Sequence, residues 1–72
     1  MKRDKVSSSN LASIGYDEKN NILEVEFNHG GIYQYSNVSY YVYEELMKAS
    51  SHGTYFSANI RNNKKFTTEK IK

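Results

Sequence analysis

Few side chains in this sequence are spaced for covalent chemistry. The two histidines, His29 and His52, have neither a second histidine nor a cysteine at metal-ligand spacing, and the chain has no cysteine at all, so a zinc centre is not expected. His29 falls in a predicted turn and His52 near a predicted helix end, where exposure to water accounts for both. Serines are frequent, but none stands in a G-x-S-x-G elbow and none is marked as a nucleophile by a nearby base. Glu24 and Glu26 alternate on one strand face and could in principle form an acid/base pair, but strand-surface glutamates are ordinarily just solvated. Gly30-Gly31 follows a strand and leads into another. It lacks the lysine and the helix N-terminus of a phosphate-binding loop. The expectation is a protein that is not an enzyme and uses no cofactor or metal.

What remains is non-covalent chemistry. The chain holds seven tyrosines and three phenylalanines, with no tryptophan. Tyrosine joins apolar area to a polar hydroxyl, so it can line the margin of a small core or form a binding face. Arginine and lysine can meet phosphates. Of these residues, Tyr16, Tyr55, Arg61, Lys64 and Lys65 are the candidate nucleic-acid contacts, and Tyr40 and Tyr41 are further exposed aromatics.

The net charge of +2 is unevenly spread. Lys2, Arg3 and Lys5 stand against Asp4 at one end, and Arg61, Lys64, Lys65, Lys70 and Lys72 against Glu69 at the other. Between them Lys19 and Lys48 face Asp17, Glu18, Glu24, Glu26, Glu44 and Glu45. Basic ends on an acidic body fit contact with nucleic acid or an acidic surface, and they fit solubilising tails equally well.

These residues must be positioned by very little protein. A chain of 72 residues makes about one minimal domain and buries only about 60% of the surface its unfolded form exposes. No disulfide can help it, and cysteine absence fits a reducing compartment. No window approaches the roughly 20 apolar residues of a membrane span, and Met1 to Asn10 lacks the apolar stretch of a secretory signal. A cytoplasmic location is the expectation.

An antiparallel meander is expected over about 11–17, 22–28 and 31–36. In the first strand Ala12, Ile14 and Tyr16 share a face, and Gly15 opposite them suggests a bulge or a close neighbour. Asp17 to Asn21 is a polar turn. Leu23, Val25 and Phe27 alternate with Glu24 and Glu26, the pattern of a strand with one buried and one wet face. The hairpin length then decides the fate of the next tyrosines. A two-residue loop at His29-Gly30 puts Tyr33 and Tyr35 on the glutamate face. A three-residue loop, Asn28-His29-Gly30 with Gly30 left-handed, pairs Val25 with Tyr33 and Leu23 with Tyr35, both facing the core. The second is preferred, because glycine suits the left-handed position.

A helix follows at about 39–50. Ser39 is its N-cap, Val38 and Tyr43 form a hydrophobic staple, and Val42, Leu46 and Ala49 make the apolar stripe. Gly53 fits just past its C-terminal end. A second short helix over about 54–61, capped by Thr54 with Phe56 and Ile60 on one face, competes with a strand there because Tyr55-Phe56 is β-prone. The domain is bounded at 8–61, with 1–7 and 62–72 as flexible basic tails in which Phe66 and Ile71 are lone apolar residues.

The order Ser8-x-Asn10-Leu11-x-x-Ile14-Gly15-Tyr16-Asp17, Leu23-Glu24-Val25-Glu26-Phe27, Gly30-Gly31-x-Tyr33-x-Tyr35, then Ser51-x-Gly53-x-Tyr55-Phe56 and Ile60-Arg61 resembles the KTSC domain. That family is named for its occurrence at the C-terminus of some lysyl-tRNA synthetases, and it also occurs as stand-alone proteins of bacteria and their phages. The resemblance covers about residues 8–61. It implies that Tyr33, Tyr35, Ser51, Gly53 and Phe56 are family-motif positions, expected here to be structural. It implies no established activity, and RNA binding only by association with a tRNA-handling enzyme. Ser39-Tyr40 departs from a common helix-start proline, Ser57 from an asparagine, and Lys64-Lys65-Phe66 is a diluted form of a basic and aromatic run.

Two functions are therefore carried forward, both for a monomer or weak dimer away from membranes. One is RNA binding, by tyrosines that stack on unpaired bases and by basic residues on phosphates. The alternative is a protein-interaction module that docks on a host protein through an open sheet edge.

Overall fold

A computed structural model describes all 72 residues. Five antiparallel strands form one sheet in sequence order: β1 (Asp4–Lys5), β2 (Leu11–Asp17), β3 (Ile22–Phe27), β4 (Ile32–Ser36) and β5 (Thr67–Lys70). Helices α1 (Tyr40–Lys48) and α2 (His52–Asn59) lie between β4 and β5 in the chain. The α+β class, the central meander and both helices are as expected. The sheet is wider by one strand on each side, and the two extra strands come from the segments expected as tails.

The register turns on the β3–β4 hairpin. Val25 pairs with Tyr33 and Leu23 with Tyr35. The Phe27 amide donates to the Gly31 carbonyl, so residues 28–30 form the loop, and Gly30 sits at φ +102°. A left-handed backbone is disfavoured for a residue with a Cβ, so glycine fixes the three-residue loop and thereby the face on which every residue of β4 lies.

The inner face carries the core. Leu11, Ile14, Leu23, Val25, Phe27 and Tyr35 pack from the sheet, with Val38, Leu46, Phe56 and Ile60 from the helical layer. Leu11 and Ile14 both reach it because the β2–β3 register shifts between Leu11 and Ser13. The bulge makes Ala12 the extra residue, and it breaks the simple alternation expected from Ala12, Ile14 and Tyr16.

Helix α1 begins at Ser39, whose hydroxyl accepts from the Val42 amide. Helix α2 begins earlier than expected. Ser51, not Thr54, is its cap: the Ser51 hydroxyl accepts from the Thr54 amide and donates to Thr54 Oγ1. Gly53 is therefore inside the first turn of α2, not past the end of α1. A Cβ there would collide with the Asn10 carboxamide and crowd Ser8 Oγ, so the glycine is a steric requirement of the β1–β2 connection.

The outer face holds a polar network that reverses the expectation for Glu24. Glu24 is buried. Arg3 crosses the sheet above Gly15, where an added Cβ would meet Lys2 O at 2.5 Å, and its guanidinium pairs with Glu24 Oε2. Gln34 Nε2 donates to Glu24 Oε1 at 2.8 Å. Arg3 Nε donates to Ser13 Oγ, which donates onward to Glu26 Oε1. Burial opposes ionisation of Glu24, but the hydrogen bonds from Gln34 and Arg3 and the charge of Arg3 prevail and hold the carboxyl below its usual range.

The C-terminal segment is docked. Phe66 packs against the core cluster. Tyr33 pairs with Lys70 and Tyr35 with Thr68, and the Ile71 amide donates to the Ile32 carbonyl.

Candidate functional site

Two depressions mark the surface. One is a shallow polar hollow at the start of α2, between Ser9, Asn10, Ser51 and Thr54. Its principal side chains bond within the protein, Ser51 to Thr54 and Asn10 to Ser8. The other is a cleft of about 220 Å³ between the Phe27–Tyr33 hairpin, β5 and the segment after α2.

The cleft is built of rings. Phe27 ends β3 on the inner face, and His29 in the hairpin loop stacks on it, with centroids 5.4 Å apart and planes at 10°. Tyr33 stands nearly perpendicular to Phe27 at 5.5 Å. Tyr35 forms the deeper wall, edge-on to Phe56. The rings thus form a corner, with Phe27 and His29 on one side and Tyr33 on the other. Arg61 closes it from the end of α2, its guanidinium carbon 6.0 Å from the Phe27 centroid. Asn62 and Thr68 complete the lining.

The polar groups here are free. Arg61, His29, Tyr33, Tyr35, Asn62 and Thr68 take part in no side-chain hydrogen bond or ion pair, whereas Arg3, Tyr16, Asn59 and Asn63 all do. No carboxylate lines the cleft. Lys70 stands opposite Tyr33 on the inner face, and exposed Lys64 and Lys65 lie in the turn leading to β5. Burial raises the Tyr35 hydroxyl above its usual range, the nearby Arg61 charge works the other way, and Tyr33 adds to the rise. A ring corner with convergent, unsatisfied polar groups and net positive charge is the chemistry of a binding site.

The candidates chosen from sequence do not all meet here. Arg61 lines the cleft, and Lys64 and Lys65 flank it. Tyr16 stands at the other end of the sheet, paired with Leu23. Four residues of extended chain, roughly 13 Å, separate Leu23 from Phe27. Tyr16 stacks on Tyr43 at 4.8 Å and donates to the Val38 carbonyl at 2.6 Å, so its ring and hydroxyl are engaged in holding the β4–α1 connection. Burial raises its hydroxyl, with Glu18 and Asp17 adding to the effect. Tyr55 lies on the α1 side among acidic and aromatic groups: burial first, then Glu45 and Tyr41, push its hydroxyl up.

Of the motif positions expected to be structural, Ser51 caps α2, Gly53 admits Asn10 and Phe56 is fully buried. Tyr35 is 3% exposed, and Tyr33 is half-buried. His29, Asn62, Thr68 and Lys70 were not singled out from sequence. The position of His29 one loop residue beyond an inward-facing Phe27 is the signal that could have found it. Lys70 belongs to the basic C-terminal run but had no strand signal to place it, and nothing marked Thr68, since the polar strand that carries both has no apolar alternation.

Comparison with known proteins accords with this architecture. The KTSC domain model matches residues 7–66. The chain belongs to the KTSC domain family. A protein of Stutzerimonas stutzeri (strain A1501), described as uncharacterized, is 46% identical over 57 residues, which span 79% of this chain and 80% of that protein. The crystal structure of a KTSC domain protein from Yersinia pestis superposes with a TM-score of 0.92 at 41% identity, covering 99% of this chain and 97% of that one. In the KTSC domain described here, no helix is long and apolar enough to cross a membrane.

Proposed function

We propose that this KTSC domain is a non-catalytic binding module for nucleic acid, with RNA as its ligand, working in the cytoplasm of a bacterium or of a cell that a phage has entered. The observation that carries the reading is the ring-lined cleft closed by the unpaired Arg61, with Lys64, Lys65 and Lys70 beside it and no carboxylate in its lining. The acidic outer face, which counts against phosphate contact from the sequence, is partly neutralised: Glu24 is paired with Arg3. It also lies on the side of the sheet away from the cleft.

The protein-docking alternative has less support. Its edges would be β1, two residues long, and β5, whose four exposed residues include Glu69 and Lys70. Short, charged edges resist pairing with another chain.

The test is a fluorescence-anisotropy titration with a labelled single-stranded RNA of about eight nucleotides, at roughly 50 mM and 200 mM salt. Four phosphate contacts predict a slope of log K on log salt of roughly −3. Replacing Lys64 and Lys65 together by alanine should flatten that slope and weaken binding. Absence of binding at the lower salt concentration rejects the reading.

A further inference from the structure

We infer that the cleft is a subsite for one unstacked nucleotide, so that the ligand is single-stranded and inserts a base among Phe27, His29 and Tyr33. The inference rests on the nucleic-acid reading above and adds to it the form of the ligand.

Three features of the cleft converge on this occupant. First, its walls are ring faces and edges set at a corner, His29 stacked on Phe27 with planes at 10° and Tyr33 at 79° to Phe27. A flat ring can lie against one wall and meet the edge of the other, the two arrangements aromatic pairs prefer. Second, the volume of about 220 Å³ falls below the range of about 300–1,000 Å³ of drug-sized sites. It suits one ring system rather than a stack. Third, the free polar groups are of mixed kind. The Tyr35 hydroxyl, the Asn62 carboxamide and the Thr68 hydroxyl can donate and accept, as the edge of a base requires. Arg61 at the mouth and Lys70 beside Tyr33 supply fixed positive charge for the attached phosphate.

A double helix cannot use this arrangement. Its ring faces are hidden in the stack, and it offers proteins its phosphates and groove edges. The basic surface formed by Lys64 and Lys65 would attract single and double strands alike, but the ring corner gains a partner only from an unpaired base. The cleft therefore adds discrimination to a surface that has none.

The experiment compares one RNA sequence as a single strand and as a duplex, titrated at the same low salt against the full-length chain. The wild type is expected to bind the single strand at least about ten-fold more tightly, in line with the value of base–aromatic stacking. His29→Ala, at an exposed loop position, should reduce single-strand affinity several-fold and leave duplex affinity within about two-fold, whereas Arg61→Ala, which removes a phosphate contact, should weaken both ligands and the single strand more. The Lys64→Ala/Lys65→Ala variant should weaken both ligands together. Tyr33→Ala should act like His29→Ala, and Tyr33→Phe should restore binding if the ring is what matters, which separates lost stacking from lost folding. Adenosine monophosphate at millimolar concentration should shift the amide resonances of Tyr33, Asn62 and Thr68.

Equal affinity for single strand and duplex, unchanged by His29→Ala and Tyr33→Ala, would overturn the subsite and leave the basic-surface reading standing. Monophosphate-induced shifts confined to Lys64 and Lys65 would do the same. No binding of either RNA form at low salt would overturn both.

Discussion

Replacing Arg3 by alanine should destabilise the whole domain, although the residue lies in a segment whose composition resembles a tail. Arg3 makes two charge-assisted contacts, to Glu24 Oε2 and to Ser13 Oγ, the second at 2.9 Å. The Glu24 side chain is 8% exposed and that of Arg3 26%. Removing one partner of a fully buried ion pair costs about 3–5 kcal/mol, because the other charge is left without compensation. Two features reduce that figure: Gln34 continues to donate to Glu24 Oε1, and water can enter where a quarter-exposed guanidinium has left. A cost of about 1.5–3 kcal/mol is expected, the range of a hydrogen bond to a charged group. In a domain of this size each kcal/mol lowers Tm by roughly 4–8 °C, so the fall should be about 6–24 °C by differential scanning fluorimetry. Glu24→Gln alone should also destabilise. In the double variant the two losses should be less than additive by about 1 kcal/mol or more, since the residues are in direct contact. The pH dependence has a definite sign. The Glu24 carboxyl is held below its usual range in the folded state. Its contribution is therefore complete above the ordinary glutamate value of about 4.3 and is lost as the pH falls from there through the depressed folded value. Arg3→Ala should shrink that acid-dependent loss. A Tm change under about 3 °C for Arg3→Ala, or strict additivity with Glu24→Gln, would refute the argument that residues 3 to 5 are part of the folded sheet.

Three further outcomes follow from the packing. Gly53→Ala should cost about 1–3 kcal/mol, the usual penalty for forcing atoms into a filled space. Asn10→Ala in the same chain should recover part of it, as read by urea denaturation. Gly30→Ala should cost about 1–2 kcal/mol through backbone conformation alone, because φ is +102° and no atom lies within 4 Å of the added carbon; Gly30→Asn should be milder in the same assay. Phe56→Ala should cost about 3–5 kcal/mol, a large share of what a small domain possesses. Its circular dichroism at 37 °C should show a substantially unfolded population.

Much of the fold was legible because the strongest local signals agreed with the tertiary structure. The Leu23 to Phe27 alternation placed a half-buried strand, Gly30 set the hairpin register, and Ser39 marked a helix start. The errors have physical causes too. Thr67 to Lys70 is a strand whose side chains are all exposed, so no apolar periodicity betrays it; pairing with Tyr33 to Ser36 and the flanking Phe66 and Ile71 hold it in place. Alternation identified the face on which Glu24 lies but could not reveal what covers that face, because its partner Arg3 is distant in sequence. Gly53 looked like a helix terminator because the usual reason for such a glycine is a left-handed backbone, whereas here the reason is a neighbour from another segment. The site was half legible. Arg61, Lys64 and Lys65 stood out by charge, but Tyr16 and Tyr55 were chosen by residue type, and residue type does not tell a ring held in a stack from one left open to a ligand.

The strand order has a consequence for how the molecule breathes. β1 through β4 follow one another directly, so each can zip onto its predecessor after a short loop closes. β5 is joined to β4 only through the long connection that carries both helices. An edge strand with four exposed side chains is the part of the sheet with least to lose by detaching, and local opening is expected to begin there. Thr68 and Lys70 are carried by that strand, so the cleft is whole only while it is docked. Any molecule that fills the cleft must therefore also hold the strand down, and slower amide hydrogen exchange in residues 67–70 would report occupancy from the far edge of the sheet.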